Sequence, residues 1–142
     1  RGLSVEAERV LIVSGAQHGL AVAMMAQLKP GDVIAADALT YTGFKVLAQS
    51  LHLEIVPIPV TDSGPDLQAF ETLCHKRSVR AVYTMPTLHN PCGWVMDLAW
   101  RNRLVAIARQ YDLLIIEDAA YAFLVEDPPT ALVHLVPERY LF

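Results

Sequence analysis

The sequence predicts an α/β fold, a three-layer αβα arrangement built on a mostly parallel sheet. Three observations carry that prediction. Short apolar runs alternate with longer helical stretches, which is the pattern of βαβ units. The run Leu113–Ile116, in "LLIIEDAAYAF", is apolar at every position, as a strand buried on both faces requires. Asp66 and Asp97 each stand just before a helical stretch, where a carboxylate can accept from free backbone N–H groups. Crossovers between parallel strands are expected to be right-handed.

The elements follow in order. "RVLIVSG" reads as a strand and turn. "AQHGLAVAMMAQL" is rich in alanine and reads as a helix, closed by the stop signal "KPGD". "VIAAD" is a short strand and "YTGFKVLAQSLH" a helix. "LEIVPIPV" is a strand whose two prolines demote its second half to an edge or an exit. "TDSGPD" is a turn, and Asp66 caps the helix "LQAFETLCHKR". "RAVYTMP" is a strand ended by proline, and "TLHNPCGW" is a loop. Asp97 caps the helix "LAWRNRLVAIARQY", and the strand "LLIIED" follows. The closing "RYLF" looks like the start of another strand. No internal repeat, low-complexity segment or linker interrupts the pattern.

Composition narrows the function. The 142 residues suffice for one domain, yet 54% are hydrophobic and only 18% charged. That excess suggests surface covered by something else. Together with ends that fall beside strand-like runs, it leads us to expect residues 1–142 to be a fragment of a larger chain. No apolar run approaches the ~18 residues of a membrane span, and "RGLSVEAERV" lacks the pattern of a signal peptide. Cys74 and Cys92 have no CxxC spacing, so a reducing cytoplasm is the expectation. A net charge of −4 without a Lys/Arg cluster argues against nucleic-acid binding through this segment.

In a parallel sheet ligands bind beyond the carboxyl ends of the strands. Those ends carry "SGAQHG", "DALTYTG", "MPTLHNPCG" and "EDAAY". A helix starting in "SGAQHG" aims backbone N–H groups at an anion such as phosphate. Gly15 permits close approach, and Ser14 and Gln17 offer donors; alone, the stretch better suits an ordinary turn with a Ser cap. It is neither GxGxxG nor a P-loop. Tyr41, beside Gly43, can lie flat on a planar ring or pack on its own domain. Asn90 can donate to a phenolate-type oxygen or simply form an Asn-Pro turn. His89 is a weak candidate base, read as a loop histidine. Asp118 is the strongest single residue. A carboxylate ending a buried strand is costly without a partner, and a cationic ring nitrogen would be one. Glu117 should point the other way. Paired acids also hold Mg²⁺, but only Asp37 ends a neighbouring strand, so no metal is expected. Tyr121 would bring a phenol near Asp118.

"SGAQHG", "ALTYTGF", "YTMPTLHNPCG" and "LLIIEDAAYAF", in this order and spacing, resemble the fold-type I, pyridoxal-phosphate-dependent aminotransferases of class I/II. The resemblance spans nearly the whole chain and implies that it is a partial large domain of the PLP-dependent transferase fold. It implies roles as well. Gly15, Ala16 and Gln17 would hold the cofactor phosphate, and Tyr41 would stack on the pyridine ring. Asn90 and Tyr121 would hydrogen-bond the phenolic oxygen, and Asp118 would pair with the ring nitrogen. Asp118 and Tyr121 are thereby the candidate catalytic residues. The family also uses a lysine that forms a Schiff base with the cofactor. Lys29, Lys45 and Lys76 lie in a helix-stop turn or in helical patterns, none placed for that role. The family's substrate-carboxylate arginine is also not found in this stretch. As it stands, the chain is not expected to complete transamination.

"MPTLHNPCGWVMD" and "IIEDAAYAFL" further resemble the aminotransferase-like domain of MocR-type GntR regulators, in which that domain senses an effector. The same loop fits amino-adipate or aromatic aminotransferases. Either way the resemblance implies a homodimeric parent that takes an amino acid or effector. Any contact with DNA would come through a domain upstream of Arg1. A third reading is a non-catalytic ligand-binding or receiver-like domain. Receiver domains, however, need a lysine at a late strand end, and none stands there.

Overall fold

The computed structural model describes residues 7–135 and the backbone of residues 140 and 141. Its main sheet is made of β1 (Val33–Asp37), β2 (Glu54–Ile58), β5 (Val79–Thr84), β6 (Leu114–Glu117) and β7 (Tyr140–Leu141), in the order β2-β1-β5-β6-β7. Each of its four strand pairings is parallel. Short strands β3 (Val60–Thr61) and β4 (Gly64–Pro65) form a separate antiparallel pair. The chain lays β2 on one side of β1 and then crosses to lay β5 on the other. That makes the β1–β5 gap a topological switch point, where α/β sheets open a crevice.

Helices α1 (Ala16–Gln27) and α2 (Thr42–Ser50) cover one face of the sheet; α3 (Leu67–Lys76) and α4 (Leu98–Gln110) cover the other. Strand alternation divides the core between them. Val33, Ala35, Val82 and Ile115 pack with Phe70, Leu104 and Ile107, whereas Ile34, Ala36, Ala81, Tyr83 and Ile116 pack with Leu20, Met24 and Phe44. The expected three-layer αβα architecture is therefore present. Asp66 Oδ1 accepts from Gln68 N and Ala69 N, and Asp97 Oδ1 accepts from Trp100 N, so both predicted caps form. The prolines of "LEIVPIPV" act as expected too: β2 is an edge strand, ends at Ile58 and leaves through Pro59.

The predicted strand in "RVLIVSG" is corrected. Ala7–Arg9 is a 3-10 turn, and residues 10–13 belong to no strand. Ile12 is 94% exposed. A strand is made by its ladder to a neighbour, and no described strand pairs with this run. The apolar pattern alone could not supply the partner. The closing strand is present at Tyr140–Leu141; Arg139 and Phe142 lie outside the described residues. No described helix is long and apolar enough to cross a membrane.

Candidate functional site

All strands of the main sheet run the same way, so their carboxyl ends share one edge. Asp118, one residue past β6, still belongs to the ladder, because its N–H donates to Thr84 O at 3.0 Å. Its carboxylate accepts twice: Oδ2 from the Tyr83 hydroxyl at 2.8 Å and Oδ1 from Ala120 N–H at 3.0 Å. The residue is half-buried, so the remaining lone pairs on both oxygens are open to a ligand. Tyr83 is fully buried on the α1/α2 face, its ring stacked on Phe44 with centroids 4.0 Å apart. Burial, and then the adjacent Asp118, hold the Tyr83 phenol well above its ordinary pKa, so it remains a donor.

Phe44 lies in the first turn of α2, and that turn connects Asp118 to the other predicted residues. Tyr41 precedes the helix and packs, half-buried, against the same core. Its ring lies over Gly43 so closely that a β-carbon there would collide with it. Gly43 O accepts from Gln17 Nε2 at 3.2 Å, which joins α2 to the first turn of α1. Gly15 caps α1 with φ 92°, a left-handed conformation that glycine takes without strain, and no side chain caps this end. Gly15, Ala16 and Gln17 are exposed. A contact path thus runs from Gln17 through Gly43 and Phe44 to Tyr83 and Asp118.

Asn90 sits in a tight loop beside the same edge. Its peptide to Pro91 is cis. The loop closes through His89 N to Trp94 O at 2.9 Å and Met96 N to Pro86 O at 2.8 Å. His89, read from sequence as a loop histidine, is only 3% exposed. Its Nδ1 accepts from Cys92 N–H at 3.3 Å, which leaves the proton of a neutral ring on Nε2. Nε2 lies 3.3 Å from Asp37 Oδ2 at the end of β1, and the Thr84 hydroxyl donates to that same oxygen at 3.3 Å. This cluster occupies the β1–β5 switch point and anchors the loop that carries Asn90. Burial pushes the Asp37 carboxyl above its ordinary pKa, against the lowering effect of His89. The pairing has no local signal, because it joins a loop residue, His89, to the end of β1, far away in the sequence.

Glu117 does point away from Asp118, as alternation requires. It accepts from Leu132 N–H at 3.0 Å and lies 3.7 Å from Arg101 Nη1. Arg101, with no exposed surface, donates to Met96 O, Pro86 O and Thr87 Oγ1, each at 2.8 Å. One buried guanidinium therefore ties α4 to both ends of the Asn90 loop. No motif marks Arg101 in the sequence. The available signal was an arginine in step with Leu104, Val105 and Ala108 on the apolar face of a helix.

Tyr121 is 42% exposed and opens the 3-10 turn Ala122–Leu124 just beyond Asp118. Lys29 and Lys76 lie at the far ends of α1 and α3, on the opposite edge of the sheet. Lys45 is on the strand-end side, where its Nζ donates to Ala38 O at 3.3 Å.

The sequence profile described as "Aminotransferase class I and II" matches residues 1–140. The chain is 31% identical to the HTH-type transcriptional regulator YdeF of Bacillus subtilis, over 99% of its own length and 30% of the regulator's. Its fold matches the crystal structure of an archaeal alanine:glyoxylate aminotransferase with a TM-score of 0.90 at 32% identity, covering 97% of this chain and 36% of that one. It also matches LysN, the alpha-aminoadipate aminotransferase of Thermus thermophilus solved with N-(5'-phosphopyridoxyl)-L-leucine. That TM-score is 0.85 at 28% identity, covering 92% and 34% of the two chains. The chain thus spans about a third of each of these proteins. With nearly every residue inside the family profile and its sheet superposing on solved members, this chain belongs to the class I and II aminotransferase family.

Proposed function

We propose that this chain is the pyridoxal-phosphate-binding core of an aminotransferase-like protein, the partial large domain of a homodimer that works on an amino acid in the cytoplasm. The observation that carries the reading is the half-buried Asp118 carboxylate, held by Tyr83 and Ala120 at the end of a buried strand with acceptor capacity to spare. A cationic ring nitrogen suits that acceptor. The uncapped first turn of α1, with Gly15, Ala16 and Gln17 exposed, suits a phosphate. In this reading Tyr41 stacks on the ring, and Asn90 and Tyr121 donate to its phenolic oxygen. When bound, pyridoxal phosphate supplies a cationic ring that draws electrons from the substrate's α-carbon. The protein's part is to seat the phosphate, fix the ring plane and keep the ring nitrogen's proton beside Asp118.

Between the two kinds of relative, we take the regulator first. The support is the match to YdeF along 99% of this chain. The match to an aminotransferase structure at TM-score 0.90 supports the second reading, a segment of an amino acid aminotransferase. Two assays on the full-length protein separate them: amino-group transfer to a 2-oxo acid, and amino-acid-dependent binding to its own promoter DNA. Turnover without DNA binding makes it an enzyme, and DNA binding that responds to an amino acid makes it a regulator. Failure to take up pyridoxal phosphate at micromolar concentration refutes both.

A further inference from the structure

We propose that Tyr83 is the positioning residue for Asp118: its hydroxyl and its stack on Phe44 fix the carboxylate plane that meets the cofactor's ring nitrogen and couple that plane to the Tyr41 turn. The inference rests on the cofactor reading above and adds a residue that motif reading did not supply.

The geometry makes the case. A carboxylate held by one hydrogen bond still swings about its terminal torsion, which is broad for aspartate. Asp118 is held at both oxygens by donors from different directions, Ala120 N–H on Oδ1 and the Tyr83 hydroxyl on Oδ2. Two such bonds set the plane. The backbone bond belongs to the turn itself, so the hydroxyl is the side-chain contribution. Tyr83 is itself immobilised. It lies inside β5, has no exposed surface, and stacks within 3° of parallel on Phe44. A buried phenol requires a polar partner, and among the described residues Asp118 is the one it has. The raised pKa of Tyr83 keeps it a donor across the working range.

The stack also extends the effect. Phe44 and Gly43 share the first turn of α2, which Tyr41 precedes and Gln17 touches through Gly43 O. A displacement of that turn by ring or phosphate reaches Asp118 through Tyr83. The orientation of the carboxylate and the seat of the ring are thus set together.

Tyr83→Phe tests this in the full-length protein, since it keeps the ring and its stack and removes only the hydroxyl. Cofactor-free wild type, Tyr83→Phe, Asp118→Ala and the double variant are titrated with pyridoxal phosphate, followed by visible absorbance across pH. We expect Tyr83→Phe to raise the Kd about tenfold, the size of one charge-assisted hydrogen bond, and to shift the pH midpoint of the visible band. In the Asp118→Ala background the same change should alter the Kd less than twofold, because the group it positions is gone. The thermal midpoint of cofactor-free Tyr83→Phe should stay near wild type. A wild-type Kd and pH midpoint in Tyr83→Phe overturns the inference alone. An equal loss in both backgrounds also overturns it, because the hydroxyl then acts elsewhere. A wild type that binds no pyridoxal phosphate overturns the cofactor reading and this inference together.

Discussion

At the scale of single residues, Asp118 was legible because it breaks a rule. A carboxylate at the end of a buried strand, here just past Leu113–Ile116 and Glu117, calls for a partner. Asp118→Ala in the full-length protein should weaken cofactor binding by about tenfold to a hundredfold, the span of hydrogen bonds to charged groups, and abolish most turnover. Absorbance titration checks the first and a coupled assay the second; normal spectra and turnover would remove Asp118 from the site. Tyr121→Phe should raise the pH midpoint of the cofactor's visible band by about one unit, since it deletes one donor that favours an anionic oxygen. An unchanged titration would deny the contact. Tyr83 and His89 break no rule in the sequence. A tyrosine in a strand reads as core, and a histidine beside Asn-Pro reads as loop. Only the fold reveals that Tyr83 meets Asp118 and that His89, almost wholly buried, meets Asp37 across the switch point.

At the scale of elements, the helix starts were written plainly in Asp66 and Asp97, and Asp97→Ala should cost about 1 kcal/mol of stability. Arg101 was not legible, because its acceptors lie in a loop whose path the sequence does not give. Arg101→Met should strip the guanidinium donors from Met96 O and Thr87 Oγ1 and leave Glu117 without its counter-charge, costing about 3–5 kcal/mol; urea midpoints measure it. Burial pushes Glu117 up to about 7, despite Arg101 and the Leu132 N–H. Its unfolded counterpart titrates near 4.5. Between those values the folded state holds a proton that the unfolded state lacks. This contribution to stability is full at low pH and is lost as pH rises through about 7. Unfolding free energy followed from pH 4.5 to 7.5 should therefore fall less in Glu117→Gln than in wild type. Equal slopes would show that Glu117 does not titrate in this window.

At the scale of the whole molecule, the alternation of strands and helices announced the αβα layers, and the prolines announced the edge strand. The strand order and the fate of residues 10–13 depend on partners, which no local pattern encodes. Val10, Leu11 and Ile12 stand in the open, as do Phe123 and Leu124 beyond β6. Surfaces of this kind drive association when their neighbours are absent. The isolated 142 residues should therefore self-associate with rising concentration in light scattering; a stable 15.7 kDa monomer would contradict that.

We propose that this chain provides the phosphate, ring and nitrogen contacts of a pyridoxal-phosphate site but not the lysine that bonds the cofactor. Borohydride reduction of the full-length protein with pyridoxal phosphate, followed by peptide mapping, tests it most directly. We expect a stoichiometric pyridoxyl label on a lysine outside residues 1–142, with none on Lys29, Lys45 or Lys76. Stoichiometric label on any of those three, with Lys45 on the strand-end side the first to inspect, or no label at all, would contradict it.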